Sequence, residues 1–206
     1  MFAPGEGGFT LVIDAGHGGE DGGASDASGN RESTLNLEIA LRTEALAALL
    51  GIPTVMVRRT DISVCDEGLP TIARRKVSDL RNRVKLVSDV ERPLLLSIHQ
   101  NHFSEAKYRG AQVFYAKDDH SRFLAQQLQE DLRLALEPSN HRKCKPAKGV
   151  YLMDNIACSG LLVECGFLSN LAEAERLQQA DYQKKLAMAM LRAIAVYGRA
   201  DDSHEI

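Results

Sequence analysis

Residues 10–24 read TLVIDAGHGGEDGGA, and the interpretation of the whole chain begins there. The segment opens with apolar, β-branched residues, which predict a buried strand, and then changes abruptly to glycine, which predicts a tightly bent loop. The phosphate-binding pattern G-x-G-x-x-G does not fit, because Asp21 stands where the third glycine is needed and the acidic side chains would repel a phosphate. Two interpretations remain: a purely structural turn, and a metal site with His17 as its first ligand.

The composition sets the broad class of the protein. The 206 residues are 44% hydrophobic and 26% charged, which predicts one globular domain over residues 1–206, with a core over about 10–198 and short flexible tails. A net charge of -3 offers no basic field, so we expect no nucleic-acid partner. No apolar run is long enough to span a bilayer, so no membrane insertion is expected. Residues 1–8 do not resemble a signal peptide; either the protein is cytoplasmic or an export segment has been removed.

The cysteines give no sign of a metal ribbon or a redox motif. Cys65, Cys144, Cys158 and Cys165 are never spaced as C-x-x-C. We therefore expect free, partly buried thiols, with a disulfide as the alternative.

Helical and strand patterns alternate along the chain, which predicts an α/β fold with a parallel sheet. Residues 94–99 form the most apolar strand and are expected at its centre, while Ser33 or Thr34 is the expected cap of the first helix. The densely basic helix at residues 71–88 is expected to present a solvated face, with an arginine that reaches a substrate carboxylate as the alternative. Besides the strand from residue 10, strands are predicted at residues 53–58, 94–99, 110–115, 150–153 and 160–164, helices at 33–50, 71–88, 121–136, 171–179 and 181–197, and a polar tail at 201–206.

Three predicted strands end in a side chain that can bind a metal. These are His17, His99 and Glu164, and Glu32 follows the glycine loop at the mouth of the first helix. If the three strands are parallel, their carboxyl ends meet at one crevice, and the loop would let Glu32 swing into it. Two histidines and a glutamate form the ligand set of catalytic zinc hydrolases, which also need a carboxylate as general base. The alternative is that each is an ordinary structural residue.

These residues also carry a family resemblance. Residues 14–19 (DAGHGG), Glu32 with Asn36, residues 97–99 (SIH) and residues 162–170 (LVECGFLSN) together resemble the zinc-dependent N-acetylmuramoyl-L-alanine amidases of bacterial cell walls. The resemblance extends from about residue 10 to residue 197. It implies a single α/β domain with a central six-stranded, mostly parallel sheet flanked by helices on both faces. It also implies one Zn²⁺ bound by His17, Glu32 and His99, with Glu164 as the catalytic glutamate.

Further segments resemble the sporulation amidases of endospore-forming bacteria, which remove stem peptides so that cortex muramic acid can become muramic-δ-lactam. These are residues 110–115, 140–143, 150–153 and 164–167 (ECGF). The chain departs from many relatives after the second histidine, where it has Gln100, Asn101 and His102. Residues three apart at a strand end rarely share a face, which disfavours His102 as a ligand. Only residues 116–120 stand where some relatives carry a helix that plugs the zinc. We therefore expect any control to come from a separate activator protein.

The resemblance implies hydrolysis of the amide between N-acetylmuramic acid and L-alanine in peptidoglycan, and therefore action outside the cytoplasm, in the cell envelope. Asn101, Gln100 and Arg142 are candidates for binding substrate, and the basic segment at 141–148 either meets stem-peptide carboxylates or is a plain solvated loop. Three alternatives are a zinc peptidase or deacetylase acting on cell-wall material, a non-catalytic wall-binding module, and a cysteine hydrolase that uses Cys165 or Cys158. The last is disfavoured because a thiol directly after Glu164 on a strand points to the opposite face.

Overall fold

The apolar runs of the sequence become the strands of one sheet, and the amphipathic segments become the helices that cover it. The computed structural model describes residues 8–201, with side chains described through Val196. The strands are β1 (Thr10–Ala15), β2 (Thr54–Met56), β3 (Pro93–Asn101), β4 (Gln112–Tyr115), β5 (Lys145–Pro146) and β6 (Gly160–Phe167). The helices are α1 (Glu32–Leu49), α2 (Ile72–Ser88), α3 (Asp119–Leu136), α4 (Tyr151–Asn155), α5 (Leu171–Leu177) and α6 (Ala180–Asp201).

The strands form a six-stranded sheet in the order β2-β1-β3-β6-β4-β5. The strands β2, β1, β3 and β6 run parallel to one another, and β4 is antiparallel to β6. The mostly parallel sheet is therefore confirmed, and β3 lies at its centre as predicted. Because β1, β3 and β6 are parallel, their carboxyl ends lie at the same end of the sheet, where the candidate site residues were predicted to meet.

Helices cover both faces of the sheet, as expected. The helices α1, α3 and α6 pack together on one face, and α2 and α4 lie on the other. Side-chain alternation along β1 shows the two layers: Leu11 and Ile13 belong to the core under the first group of helices, and Val12 belongs to the core under the second. Both layers position the strands rigidly beneath the site.

Some predicted elements are wrong or displaced. Residues 150–153 were expected as an edge strand, but they begin the short helix α4, because a short apolar run fits either element and the edge of the sheet is taken by β5. The first helix begins at Glu32, after Arg31, which makes no side-chain cap, so neither Ser33 nor Thr34 caps it. The last buried strand continues to Phe167, which places Glu164 within β6 and not at its tip.

The residues predicted as a polar tail lie outside the described range, except Asp201, which closes α6. Within residues 8–201, no helix combines the length and the apolarity needed to cross a membrane.

Candidate metal centre

His17 lies in a tight loop directly after β1. Its φ of 62° is in the left-handed region, which is uncommon for a residue with a side chain and is found mostly where surrounding structure enforces it. The loop is closed by paired backbone hydrogen bonds between Gly18 and Asp21. The Asp21 carboxylate Oδ2 lies 3.0 Å from His17 Nδ1, which leaves Nε2 facing the site. Gly18 is needed here, because a Cβ would lie 2.2 Å from the carbonyl oxygen of Ile62.

Two buried arginines hold the backbone of this loop. Arg58 donates hydrogen bonds to the carbonyls of Ala15 and Gly16, and Arg83 donates to the carbonyl of His17 at 2.7 Å. Arg83 is itself ion-paired with both Asp14 and Asp79. Asp14 also accepts a 2.6 Å hydrogen bond from the Ser97 hydroxyl. The expected solvated face of α2 is therefore wrong for Arg83, which is 2% exposed. Its role is to fix the loop.

Glu32 is the most tightly held member of the site. Its Oε2 accepts a hydrogen bond from the backbone N–H of Ala24, and its Oε1 accepts one from the backbone N–H of Gln100 at 3.1 Å. The same Oε1 lies 3.3 Å from His17 Nε2 and 3.0 Å from His99 Nδ1. The sequence predicted that the glycine loop would let Glu32 swing into the site, but these contacts hold its carboxylate in place. Glu32 is the first residue of α1 and is fixed in place.

His99 and Glu164 are direct neighbours across β3 and β6. The His99 imidazole lies against Gly16, where a Cβ would come within 2.2 Å of the ring, so glycine is required at that position. The rings of His17 and His99 meet edge to face, with centroids 5.1 Å apart. One ligand atom each from His17, Glu32 and His99 lies within 4.8 Å of the others. The structure thus brings together all four predicted site residues.

The two glutamates have opposite electrostatic environments. Burial alone would raise the pKa of Glu32, but hydrogen bonds with His17 and His99 hold that pKa far below its usual range. For Glu164, burial dominates and raises the pKa to about 7. Its Oε2 is buried and has no hydrogen-bond partner among the described residues. One carboxylate is therefore ready to bind a cation, and the other is suited to hold or release a proton near neutral pH.

The comparisons with known proteins agree with this geometry. The sequence profile of the N-acetylmuramoyl-L-alanine amidase family matches residues 11–196. The chain belongs to this family. It is 39% identical over 191 residues to the germination-specific N-acetylmuramoyl-L-alanine amidase of Bacillus subtilis (strain 168), a match that covers 92% of this chain and 80% of that relative.

Solved structures show the same fold. The CwlD amidase of Clostridioides difficile, determined in complex with the GerS lipoprotein, has a TM-score of 0.89 and 35% identity, over 93% of this chain and 99% of that chain. The amidase AmiC2 of Nostoc punctiforme has a TM-score of 0.76 and 26% identity, over 94% and 98% of the two chains.

The three residues after His99 differ in burial and in the groups they contact. Gln100, a candidate for binding substrate, is 3% exposed and donates from its side chain to Asn36, so it supports Glu32 from beneath and does not face a substrate. Asn101 is half-buried, and its carbonyl accepts from Leu168. His102 is exposed and is not part of the metal-binding group.

The sequence did not reveal the residues that support the site from behind. A β-bulge between His99 and Asn101 shifts the register and turns the Gln100 N–H toward Glu32. Arg58 was not singled out, and Arg83 was one of several similar cations on a basic helix. One signal was present in the sequence: Asp14 is an acidic residue within an apolar strand, and a buried carboxylate needs a cation such as Arg83 as its partner.

The cysteines are free thiols, as expected. Cys165 is fully buried in the core under α1, α3 and α6, on the side of β6 away from Glu164, and burial raises the pKa of its thiol strongly. A thiolate nucleophile needs exposure and a lowered pKa, so the cysteine-hydrolase alternative does not fit this position.

Proposed function

We propose that this amidase hydrolyses the bond between N-acetylmuramic acid and L-alanine of peptidoglycan, with one Zn²⁺ held by His17, Glu32 and His99. The observation that carries the proposal is the convergence of these three side chains beside Glu164. Two imidazoles and one carboxylate form the ligand set of many catalytic zinc sites, with one position left for water or substrate.

The donor set fits zinc in its composition, and Glu32 fits it in its protonation state as well. Metal ligands must be deprotonated, and the low pKa of Glu32 keeps its carboxylate ionised. Asp21 stands beside His17 Nδ1, as second-layer carboxylates do in zinc sites, where they fix the ring and leave the other nitrogen for the metal. A zinc ion held by His17, Glu32 and His99 would supply Lewis-acid chemistry: it would polarise the scissile carbonyl and lower the pKa of the attacking water.

Glu164 is the proposed general base. It takes a proton from the attacking water as the water oxygen bonds to the carbonyl carbon, and it returns that proton to the alanine nitrogen as the carbon–nitrogen bond breaks. A pKa of about 7 suits both halves of this cycle near neutral pH. The unpartnered Oε2 is the atom available for the transfer. A central strand packed on both sides fixes its position.

The biological setting follows from the relatives. The similarity to the germination-specific amidase and to CwlD supports the removal of stem peptides during formation of the spore cortex, ahead of muramic-δ-lactam formation. Peptidoglycan lies outside the cytoplasmic membrane, so we place the enzyme in the cell envelope. Because CwlD was solved with the GerS lipoprotein, we further propose that a separate activator protein binds this amidase.

The test is digestion of purified peptidoglycan with zinc-loaded protein, followed by mass spectrometry of the fragments. The expected products are intact stem peptides with a free L-alanine amino group, together with glycan that carries unsubstituted muramic acid. Protein carrying Glu164→Gln, treated identically, is the matched control. Cleavage within the peptide would instead identify a peptidase, and loss of acetyl groups alone would identify a deacetylase.

A further inference from the structure

A row of polar side chains leads across the sheet away from the metal centre. His99 of β3 and Gln112 of β4 both pair with Glu164 of β6, one from each side. Side chains directly opposite each other on neighbouring strands share a face of the sheet. His99, Glu164 and Gln112 therefore form a row, and two strand spacings make it about 10 Å long.

Arg142 lies at the far end of this row. Its Nη1 is 3.3 Å from Gln112 Oε1, and its Nε donates a 2.8 Å hydrogen bond to the carbonyl of Arg109. The guanidinium also stacks on the ring of Phe167, with its carbon 4.5 Å from the ring centroid. The side chain forms part of the wall of a surface groove of about 300 Å³ that Tyr108 also lines. Arg142 is thus fixed before any ligand arrives.

The charge of Arg142 is not neutralised by a carboxylate. Its neighbour Arg109 is paired with Glu137 at 3.0 Å, and Lys107 is paired with Glu105. Arg142 is bonded only to neutral oxygens, and in the described part of the chain no carboxylate lies within 4 Å of it. A guanidinium that is held in place but lacks an anionic partner is well suited to bind a carboxylate.

We propose that Arg142 binds the free main-chain carboxylate of the glutamate that follows L-alanine in the stem peptide. This inference rests on the proposed function and adds a specificity site to it. In the proposed mechanism Glu164 passes its proton to the L-alanine nitrogen, so the distance that matters runs from Glu164. One strand spacing of about 4.8 Å separates Glu164 from Gln112, and Arg142 Nη1 lies 3.3 Å from Gln112 Oε1, which places Arg142 about 8 Å from the cleaved amide. An extended peptide advances about 3.5 Å per residue, so the main-chain carboxylate of the second residue lies at about this distance. Glutamate is joined to the next residue through its side chain in peptidoglycan, which leaves its main-chain carboxylate free at that distance.

The test uses two muramyl peptides that differ only in this group, one with the carboxylate and one with a carboxamide. Steady-state kinetics of the zinc-loaded full chain give kcat and KM for each. The wild type is expected to show a KM about 10–100-fold lower for the carboxylate compound, as loss of a hydrogen bond to a charged group implies. Arg142→Gln should raise KM for that compound alone and remove the preference. Arg142→Lys should restore part of it, because it keeps the charge without the planar fork.

Two controls separate this role from a structural one. Arg122→Gln removes an exposed cation from α3 and should leave the preference unchanged. If the role of Arg142 is merely structural, Arg142→Gln will raise KM equally for both compounds, and that result overturns the proposal. An unchanged preference for the carboxylate compound in Arg142→Gln overturns it too. So does an equal rise in KM for a peptide that is amidated only at its C-terminus and keeps the glutamate carboxylate. If the wild type cleaves neither compound, the proposed function fails. In that case calorimetric binding of the same pair decides the Arg142 proposal separately.

Discussion

Glu32 and Glu164 belong to one site, yet their pKa values are displaced in opposite directions. His17 and His99 hold the pKa of Glu32 far below its usual range, whereas burial raises the pKa of Glu164 to about 7. Two carboxyl groups with diverging pKa values commonly divide the work of a hydrolytic site. The same division underlies the assignment of Glu32 to the metal and of Glu164 to the proton.

The two roles are separated by a pair of substitutions. Glu164→Gln keeps the shape of the side chain but cannot accept a proton, so turnover should fall on the order of 10²–10⁴-fold while zinc stays bound. Glu32→Ala should lose both zinc and activity, since it removes a ligand. Zinc content and turnover are measured side by side for both variants. If Glu164→Gln purifies without metal and Glu32→Ala retains it, the assignment is reversed.

Gly16 is predicted to be essential because of the space it leaves for His99. Gly16→Ala would place a Cβ 2.2 Å from the imidazole, so the ring must move and zinc affinity should fall on the order of 100-fold. Gly29→Ala is the contrasting variant. Its φ of 85° makes alanine cost about 1–2 kcal/mol, but nothing lies within 4 Å of the new Cβ. Isothermal titration with zinc should therefore find normal affinity in Gly29→Ala. Equal affinities in the two variants would contradict the packing argument.

Cys165→Ala tests the cysteine-hydrolase alternative. The thiol is fully buried on the far side of β6 from the site, so turnover should match that of the wild type. Stability should fall by about 1 kcal/mol through lost apolar burial, measured by chemical denaturation. Loss of activity with zinc still bound would mean that the thiol takes part in catalysis.

Asp118 predicts an acid-dependent contribution to stability. Its carboxylate accepts hydrogen bonds from the backbone N–H of Ser121, which caps α3, and from the Ser159 hydroxyl. Partial burial alone would raise the pKa of Asp118, but the hydrogen bonds hold that pKa below its usual value of 3.8. A carboxylate with a lowered pKa stabilises the fold above the unfolded-state pKa, and the effect is lost as pH falls below it. Asp118→Ala should lower the free energy of unfolding by about 1 kcal/mol at neutral pH, and this difference from the wild type should shrink below about pH 4. The control is Asp119→Ala, at an exposed neighbouring position. It should change the free energy of unfolding by no more than about 0.5 kcal/mol at either pH.

His17, His99 and Glu164 could be predicted from the sequence because local patterns indicate burial and strand direction, although Glu164 lies within β6 and not at its end. Apolar runs before His17, His99 and Glu164 fixed three parallel strands, and parallel strands bring their ends together. The support of the site could not be predicted in the same way. Nothing in a basic helix marks Arg83 as the cation that turns inward, and the bulge that places Gln100 beneath Glu32 has no local signature.

The position of β6 in the sheet has a consequence for folding. It is the last strand in the chain, but it pairs between β3 and β4, so the middle of the sheet is open until residues 160–167 are in place. Before then, β3 carries an unpaired edge whose side chains include the fully apolar run Leu94, Leu95 and Leu96. Unpaired apolar edges promote aggregation, and pairings between distant segments form slowly. Chains that stop short of β6 should therefore aggregate, even though they contain His17, Glu32 and His99.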